Sequence, residues 1–124
     1  YMWDFFGNGF TQQPLRAAIA ARTTVPPNPG QEKATCEALT GYFQSAGFDD
    51  VETRTIEIEV SYADFDDYWT SQTALPNPAV QTLRKLPEAD VALVKDDLRQ
   101  RLVGQDGRVK YGARANAVKG RIPQ

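Results

Sequence analysis

Three carboxylates crowd into four residues at Asp64, Asp66 and Asp67, the kind of cluster that can hold a divalent cation. A calcium loop needs oxygen ligands at regular offsets around a central glycine. Here Phe65 interrupts the acids, Tyr68 and Trp69 follow them, and no glycine stands among them. The segment therefore reads as solvated carboxylates capping a helix. Gly7-Asn8-Gly9 raises a second chemistry, a phosphate-cradling loop. The fuller pattern G-x-G-x-x-G fails, because Gln12 stands where the third glycine belongs. A plain strand-to-helix loop is the reading kept. The chain has no histidine and one cysteine, Cys36. Ser-His-Asp and Cys-His pairings are thereby excluded within it, and a thiolate or imidazole zinc site loses its ligands. An all-carboxylate magnesium site stays open. Cys36 reads as a small core residue. The aromatic set Trp3, Phe5, Phe6, Phe10, Phe65, Tyr68 and Trp69 falls in segments that flank strand ends. Such residues either pack a core or wall an apolar ligand pocket.

The elements that must position these residues follow from the periodicity. Tyr1 to Phe6 is apolar and strand-forming, cut off by Gly7-Asn8-Gly9. The chain opens directly in that run and without methionine, which predicts a part of a longer protein whose front lies elsewhere. Thr11 or Gln13 can cap a short helix with Pro14 in its first turn and Leu15, Ala18 and Ile19 on one stripe, ending near Arg22. Pro26, Pro27 and Pro29 make Thr24 to Gly30 a loop. A second helix is predicted from Gln31 to Ala46, with Cys36, Leu39, Tyr42, Phe43 and Ala46 on one face. Gly47 suits an αL cap, and Phe48 can fold back on the last turn.

The clearest strand is Val51 to Tyr62. Ile56, Ile58, Val60 and Tyr62 alternate with Thr55, Glu57, Glu59 and Ser61. A last strand from Arg108 to Lys119 alternates Val109, Tyr111, Ala113, Ala115 and Ala117 with Lys110, Gly112, Arg114 and Asn116. An acidic polar face opposite a basic one predicts antiparallel pairing of the two. Between them, Asp64 caps a turn holding Phe65, Tyr68 and Trp69. Pro78 starts a helix through Val80 and Leu83 to Leu86. A longer helix from Glu88 to Val103 places Val91, Val94, Leu98 and Leu102 on one side. Glu88 and Asp90 open it and Arg99 and Arg101 close it, which suits the helix dipole. Asp106-Gly107 turns the chain into the last strand.

With 124 residues, 41% of them hydrophobic, the chain has material for one domain spanning 1–124 with a real core. A net charge of −2 argues against a general binder of nucleic acid, which needs a basic surface. The glutamates opposite account for the basic strand. No apolar run approaches the roughly 20 residues of a membrane helix. One cysteine allows no internal disulfide and suits a reducing cytoplasm.

In order, these segments resemble the C-terminal portion of a class I S-adenosylmethionine-dependent methyltransferase. The matching pieces are Met2-Trp3-Asp4-Phe5 with the Gly7-Asn8-Gly9 loop, the helix ending Phe43-Gln44-Ser45-Ala46-Gly47-Phe48, the strand Val51 to Tyr62, the segment Ala63-Asp64-Phe65-Asp66-Asp67-Tyr68-Trp69, and Tyr111-Gly112-Ala113-Arg114-Ala115. The resemblance covers most of the chain. It implies an α/β fold fragment: a three-stranded, mostly antiparallel sheet, the terminal strands of a Rossmann-like methyltransferase sheet, packed with helices. Tyr1 to Phe5 would end the fifth strand of that sheet. Val51 to Tyr62 would be the sixth, and Arg108 to Lys119 the seventh, inserted antiparallel between them. The glycine-rich cofactor loop and the ribose-holding acid belong to the family's first two strands, and no counterpart occurs here. S-adenosylmethionine is therefore expected in the parent chain and not on these residues.

The resulting expectation is the substrate-side part of a methyltransferase acting on a small molecule, the fragment itself inactive. Acceptor contacts are assigned to Trp3, Asp4, Phe6, Phe10, Tyr68 and Trp69, as shape and orientation, with Asp4 also able to accept a hydrogen bond or proton. The other reading is a stand-alone α+β module that binds a ligand or partner and catalyses nothing. A sheet parted from four parallel strands exposes an edge and an apolar face, so a homodimer or swapped dimer is expected of the fragment.

Overall fold

The computed structural model describes all of residues 1–124. The protein is mixed α/β, with five helices and one three-stranded antiparallel sheet. In chain order the elements are β1 (Met2–Trp3), α1 (Gln13–Ala20), a 3-10 turn (Gln31–Ala34), α2 (Cys36–Ser45), β2 (Asp49–Tyr62), α3 (Phe65–Thr73), α4 (Pro78–Arg84), α5 (Glu88–Leu102) and β3 (Val109–Arg121). The strand order is β1-β3-β2. No helix is long and apolar enough to cross a membrane. The chain divides into two compact units, each discontinuous in sequence.

The sheet unit comprises Tyr1–Thr11, Pro29–Ile58 and Gly112–Gln124. β1 pairs antiparallel with β3, Met2 opposite Asn116 and Trp3 opposite Ala115. On the other side of β3, Glu52 meets Lys119 at 3.2 Å and Asp50 meets Arg121 at 3.7 Å. Opposite charges thus meet at one end of the two long strands, not among Glu57, Glu59, Lys110 and Arg114 as expected; Arg114 pairs with Asp4 instead. The side chains of Glu52, Lys119, Asp50 and Arg121 are exposed, so screening by water leaves them little energetic weight. The firmer link is Asn116, which is buried. Its Nδ2 donates to the Ala34 carbonyl at 2.8 Å, and its Oδ1 accepts from Thr55 Oγ1 at 3.2 Å.

Two local expectations are corrected in this unit. The first strand ends at Trp3 and not near Phe6. Asp4 is the cause: its Oδ1 accepts from the Gly7 amide at 3.1 Å, and its carbonyl accepts from the Gly9 amide at 2.8 Å. An aspartate that bonds backbone ahead of it makes a turn, whatever the strand propensity of Phe5 and Phe6. The second helix is broken at Thr35, whose extended backbone ends the 3-10 turn while its hydroxyl accepts from Ala38 N and starts α2. Its C-terminus follows expectation: Gly47 has φ +90°, and Phe48 stacks on Phe43 with ring centroids 4.9 Å apart. The Ile56 and Ile58 part of the apolar stripe of β2 is open to solvent. Ile56 and Ile58 remain 44% and 46% exposed, and Tyr42 of α2 is exposed as well. Alternation predicts which side chains share a face of a strand, but not that another element covers it.

The helical unit comprises Gln12–Asn28 and Glu59–Tyr111. Leu15, Ala18 and Ile19 of α1, Phe65 and Tyr68 of α3, Ala79, Val80 and Leu83 of α4, Val94 and Leu98 of α5, and Val109 form one apolar core. Its helices start where their caps dictate. Asp64 Oδ1 accepts from Asp67 N at 2.8 Å, and Asn77 Oδ1 accepts from Val80 N at 2.9 Å, with Pro78 in the first turn of α4. α1 has no side-chain cap; its N-cap is Gln12, not Thr11 or Gln13, and it stops at Ala20 rather than Arg22. α5 carries Glu88 and Asp90 in its first turn and Arg99 and Arg101 in its last.

The two kinds of apolar residue make different predictions for urea unfolding. Leu98→Ala, in the core, is expected to cost about 2–5 kcal/mol. Ile56→Ser, on the exposed stripe, is expected to stay within about 0.5 kcal/mol of the unchanged chain.

Candidate functional site

In the sheet unit the Gly7-Asn8-Gly9 loop is closed by one ion pair. Arg114 Nε donates to Asp4 Oδ2 at 2.9 Å, and Arg114 Nη2 donates to the Gly7 carbonyl at 2.6 Å. The backbones lock as well: Asp4 N donates to Arg114 O at 2.9 Å, and Arg114 N donates to Gly9 O at 2.7 Å. A Cβ on Gly9 would stand 2.8 Å from the Arg114 carbonyl oxygen, so only glycine allows this approach. Beside the loop lies a cleft of about 320 Å3, bordered by Asn8, Glu57, Ile58 and Arg114. The loop cannot cradle a phosphate as it stands. The Gly7, Asn8 and Gly9 amides donate to Asp4 Oδ1, Phe5 O and Asp4 O, so none of these three backbone donors is left for a ligand.

The chemistry of the helical unit is aromatic. Trp69 stacks on Phe65 at 6.1 Å, and the Lys95 ammonium lies 4.9 Å from the Trp69 ring centre. Trp69, Thr73, Leu83, Arg84, Leu86, Glu88 and Val91 line a cleft of about 310 Å3. Arg84 is tethered, its Nη2 donating to Thr73 O at 3.2 Å. An apolar wall with one cation and one carboxylate at its margin suits a small, largely apolar molecule bearing a polar group.

Deeper in the same unit, Tyr62, Tyr68 and Tyr111 pack ring to ring, with centroids 5.4 to 6.5 Å apart. Gln72 Nε2 donates to Tyr62 Oη at 2.9 Å. Burial pushes the Tyr68 phenol up, and the Tyr62 phenol beside it adds to the shift. Tyr111 is raised for the same first reason, with further contributions from Tyr62 and Tyr68.

The six residues assigned as acceptor contacts fall into both units. Trp3, Asp4, Phe6 and Phe10 belong to the sheet unit, Tyr68 and Trp69 to the helical unit. Trp3 is half-buried, edge-on to Tyr1. The Asp4 carboxylate is taken up by Arg114 and Gly7. Phe6 is exposed, whereas Phe10 is buried against Phe5. Tyr68 is sealed in the core, and Trp69 alone of the six lines the helical unit's cleft. The acid cluster caps α3: Asp64 accepts from Asp67 N, and Asp67 Oδ2 accepts from Ala63 N at 3.0 Å. The sequence reading missed Arg114, Arg84 and Gln72. Only Gln72 left a trace, four residues after Tyr68 and so on its helix face.

No family model matches the chain, no curated protein matches it, and no solved structure matches it.

Two predictions follow from this geometry. Asp4→Ala removes the acceptor for both Arg114 Nε and Gly7 N, and is expected to lower stability by about 2 kcal/mol in urea unfolding. The tyrosines predict an alkaline limit. Their folded values lie above the ordinary 10.0. Above pH 10 the unfolded chain sheds phenolic protons that the folded chain keeps, so stability is whole below that pH and falls as pH rises further. Absorbance at 295 nm is expected to show Tyr68 and Tyr111 ionising together with unfolding rather than near pH 10.

Proposed function

We propose that this chain is the acceptor-side part of an S-adenosylmethionine-dependent methyltransferase acting on a small molecule, inactive by itself. The supporting observation is the strand order. β3 lies between β1 and β2 and runs antiparallel to them, so β1 and β2 run parallel with a reversed strand between. That is the order the family resemblance implies for the last three strands of its sheet. The connection from β1 to β2 passes through α2, as parallel strands require a crossover.

The residues here do not fit the cofactor. The one glycine-rich loop after a strand spends its amides on Asp4 and Phe5. Holding S-adenosylmethionine falls in this reading to other residues of the parent protein. What this chain contributes is placement of the acceptor. Methyl transfer depends strongly on how the reactants are aligned, so a histidine-free wall is adequate to it. Trp69 and the cleft around it are assigned to the acceptor, with Arg84 and Glu88 as its polar margin. Asp4 is assigned a positioning role through Arg114, not proton transfer.

The test compares the 124-residue chain with the polypeptide encoded by its whole reading frame. Calorimetry should find S-adenosylmethionine binding to the longer polypeptide and none to the chain alone. Trp69→Ala in the longer protein should raise the acceptor KM about tenfold or more and leave cofactor affinity unchanged. A longer polypeptide without affinity for S-adenosylmethionine, or a reading frame that opens at Tyr1, would overturn the proposal in favour of a stand-alone binding module.

A further inference from the structure

Three buried side-chain atoms of the helical unit lack partners: Arg16 Nη1 on α1, whose Nη2 donates to Val25 O, and two neighbours on α3. Tyr68 is 0% exposed and Gln72 is 2% exposed, yet Tyr68 Oη and Gln72 Oε1 make no hydrogen bond. Buried polar groups are nearly always paired, because they lose their hydration with nothing in return when they are not. A phenylalanine at 68 and an aliphatic residue at 72 would fill the same space without that loss.

The two residues are four apart on a helix and therefore neighbours on one face. Their surroundings define the missing partner. Gln72 Nε2 is already engaged with Tyr62 Oη, and Tyr111 shares a hydrogen bond with that same hydroxyl. Gln72 Oε1 can only accept. Tyr68 Oη has a proton to donate. A hydroxyl or an amide supplies a donor and an acceptor together and satisfies both. A charged group would lose its hydration among the rings of Tyr62, Phe65, Tyr68 and Tyr111, and the Arg99 guanidinium, 4.6 Å from the Phe65 ring centre, is half-exposed and already paired with Asp96, so that loss is strongly unfavourable.

We propose that Tyr68 and Gln72 form a recognition pair for a small neutral aromatic molecule carrying a hydroxyl or amide group, received among these rings when α3 moves outward. The entry step is local opening, because both atoms are sealed from solvent. This ligand is separate from the acceptor assigned to the Trp69 cleft, and its binding is measured without S-adenosylmethionine. A failure of methyl transfer would leave a positive result here standing.

Phenol is the probe, and toluene, with the same ring and no hydroxyl, is the control. Phenol titrated into the 124-residue chain should shift the Gln72 side-chain amide resonances saturably, while toluene at equal concentration should not. Tyr68→Phe should melt at the same temperature or higher and bind phenol at least tenfold more weakly. Gln72→Met should show the same loss. Three outcomes would overturn the proposal: phenol bound equally by Tyr68→Phe, toluene acting like phenol, or no saturable shift. A Tyr68→Phe chain that melts well below the parent would also overturn it, since the hydroxyl would then have a partner within the fold.

Discussion

The antiparallel strand β3 is the constraint on which the sheet depends. β1 and β2 run parallel and share no hydrogen bonds; each is held only through β3. β1 is two residues long, too short to persist on ladder bonds alone. Arg114 makes up the deficit. Its backbone amide and carbonyl bond Gly9 and Asp4, and its guanidinium holds the Asp4 carboxylate and the Gly7 carbonyl. Two residues along, Asn116 satisfies both ends of its amide against Thr55 and Ala34. Two polar residues on one strand thus specify what three short or exposed elements cannot specify by apolar burial.

Where local chemistry decides, the fold was legible in the sequence. Asp64 caps α3, Pro78 opens α4, Gly47 ends α2, and the stripe of Val94 and Leu98 faces a core. Each of these depends on residues within a turn or two of one another. The misreadings share the opposite origin. Phe5 and Phe6 have strand propensity, but Asp4 competes for their backbone. Thr35 sits inside an apolar helical pattern, yet its hydroxyl offers a better start three residues on.

The candidate site was less legible, for a related reason. Aromatic residues near strand ends signal burial without saying where. Tyr68 and Trp69 are adjacent in sequence and meet different fates, one in the core and one on a cleft wall. Helical geometry separates them by about 100°, so no single role fits both. Arg114 and Gln72 stand in segments where polar residues are routine, and only their partners mark them out.

The contrast between Asn116 and Gln72 carries the proposed recognition pair further than composition does. Both are buried amides in a chain with few buried polar side chains. Asn116 is fully paired, as a structural residue should be. Gln72 is paired on one side only, and Tyr68 beside it is not paired at all. A fold that needed only stability would resolve the second case as it resolved the first.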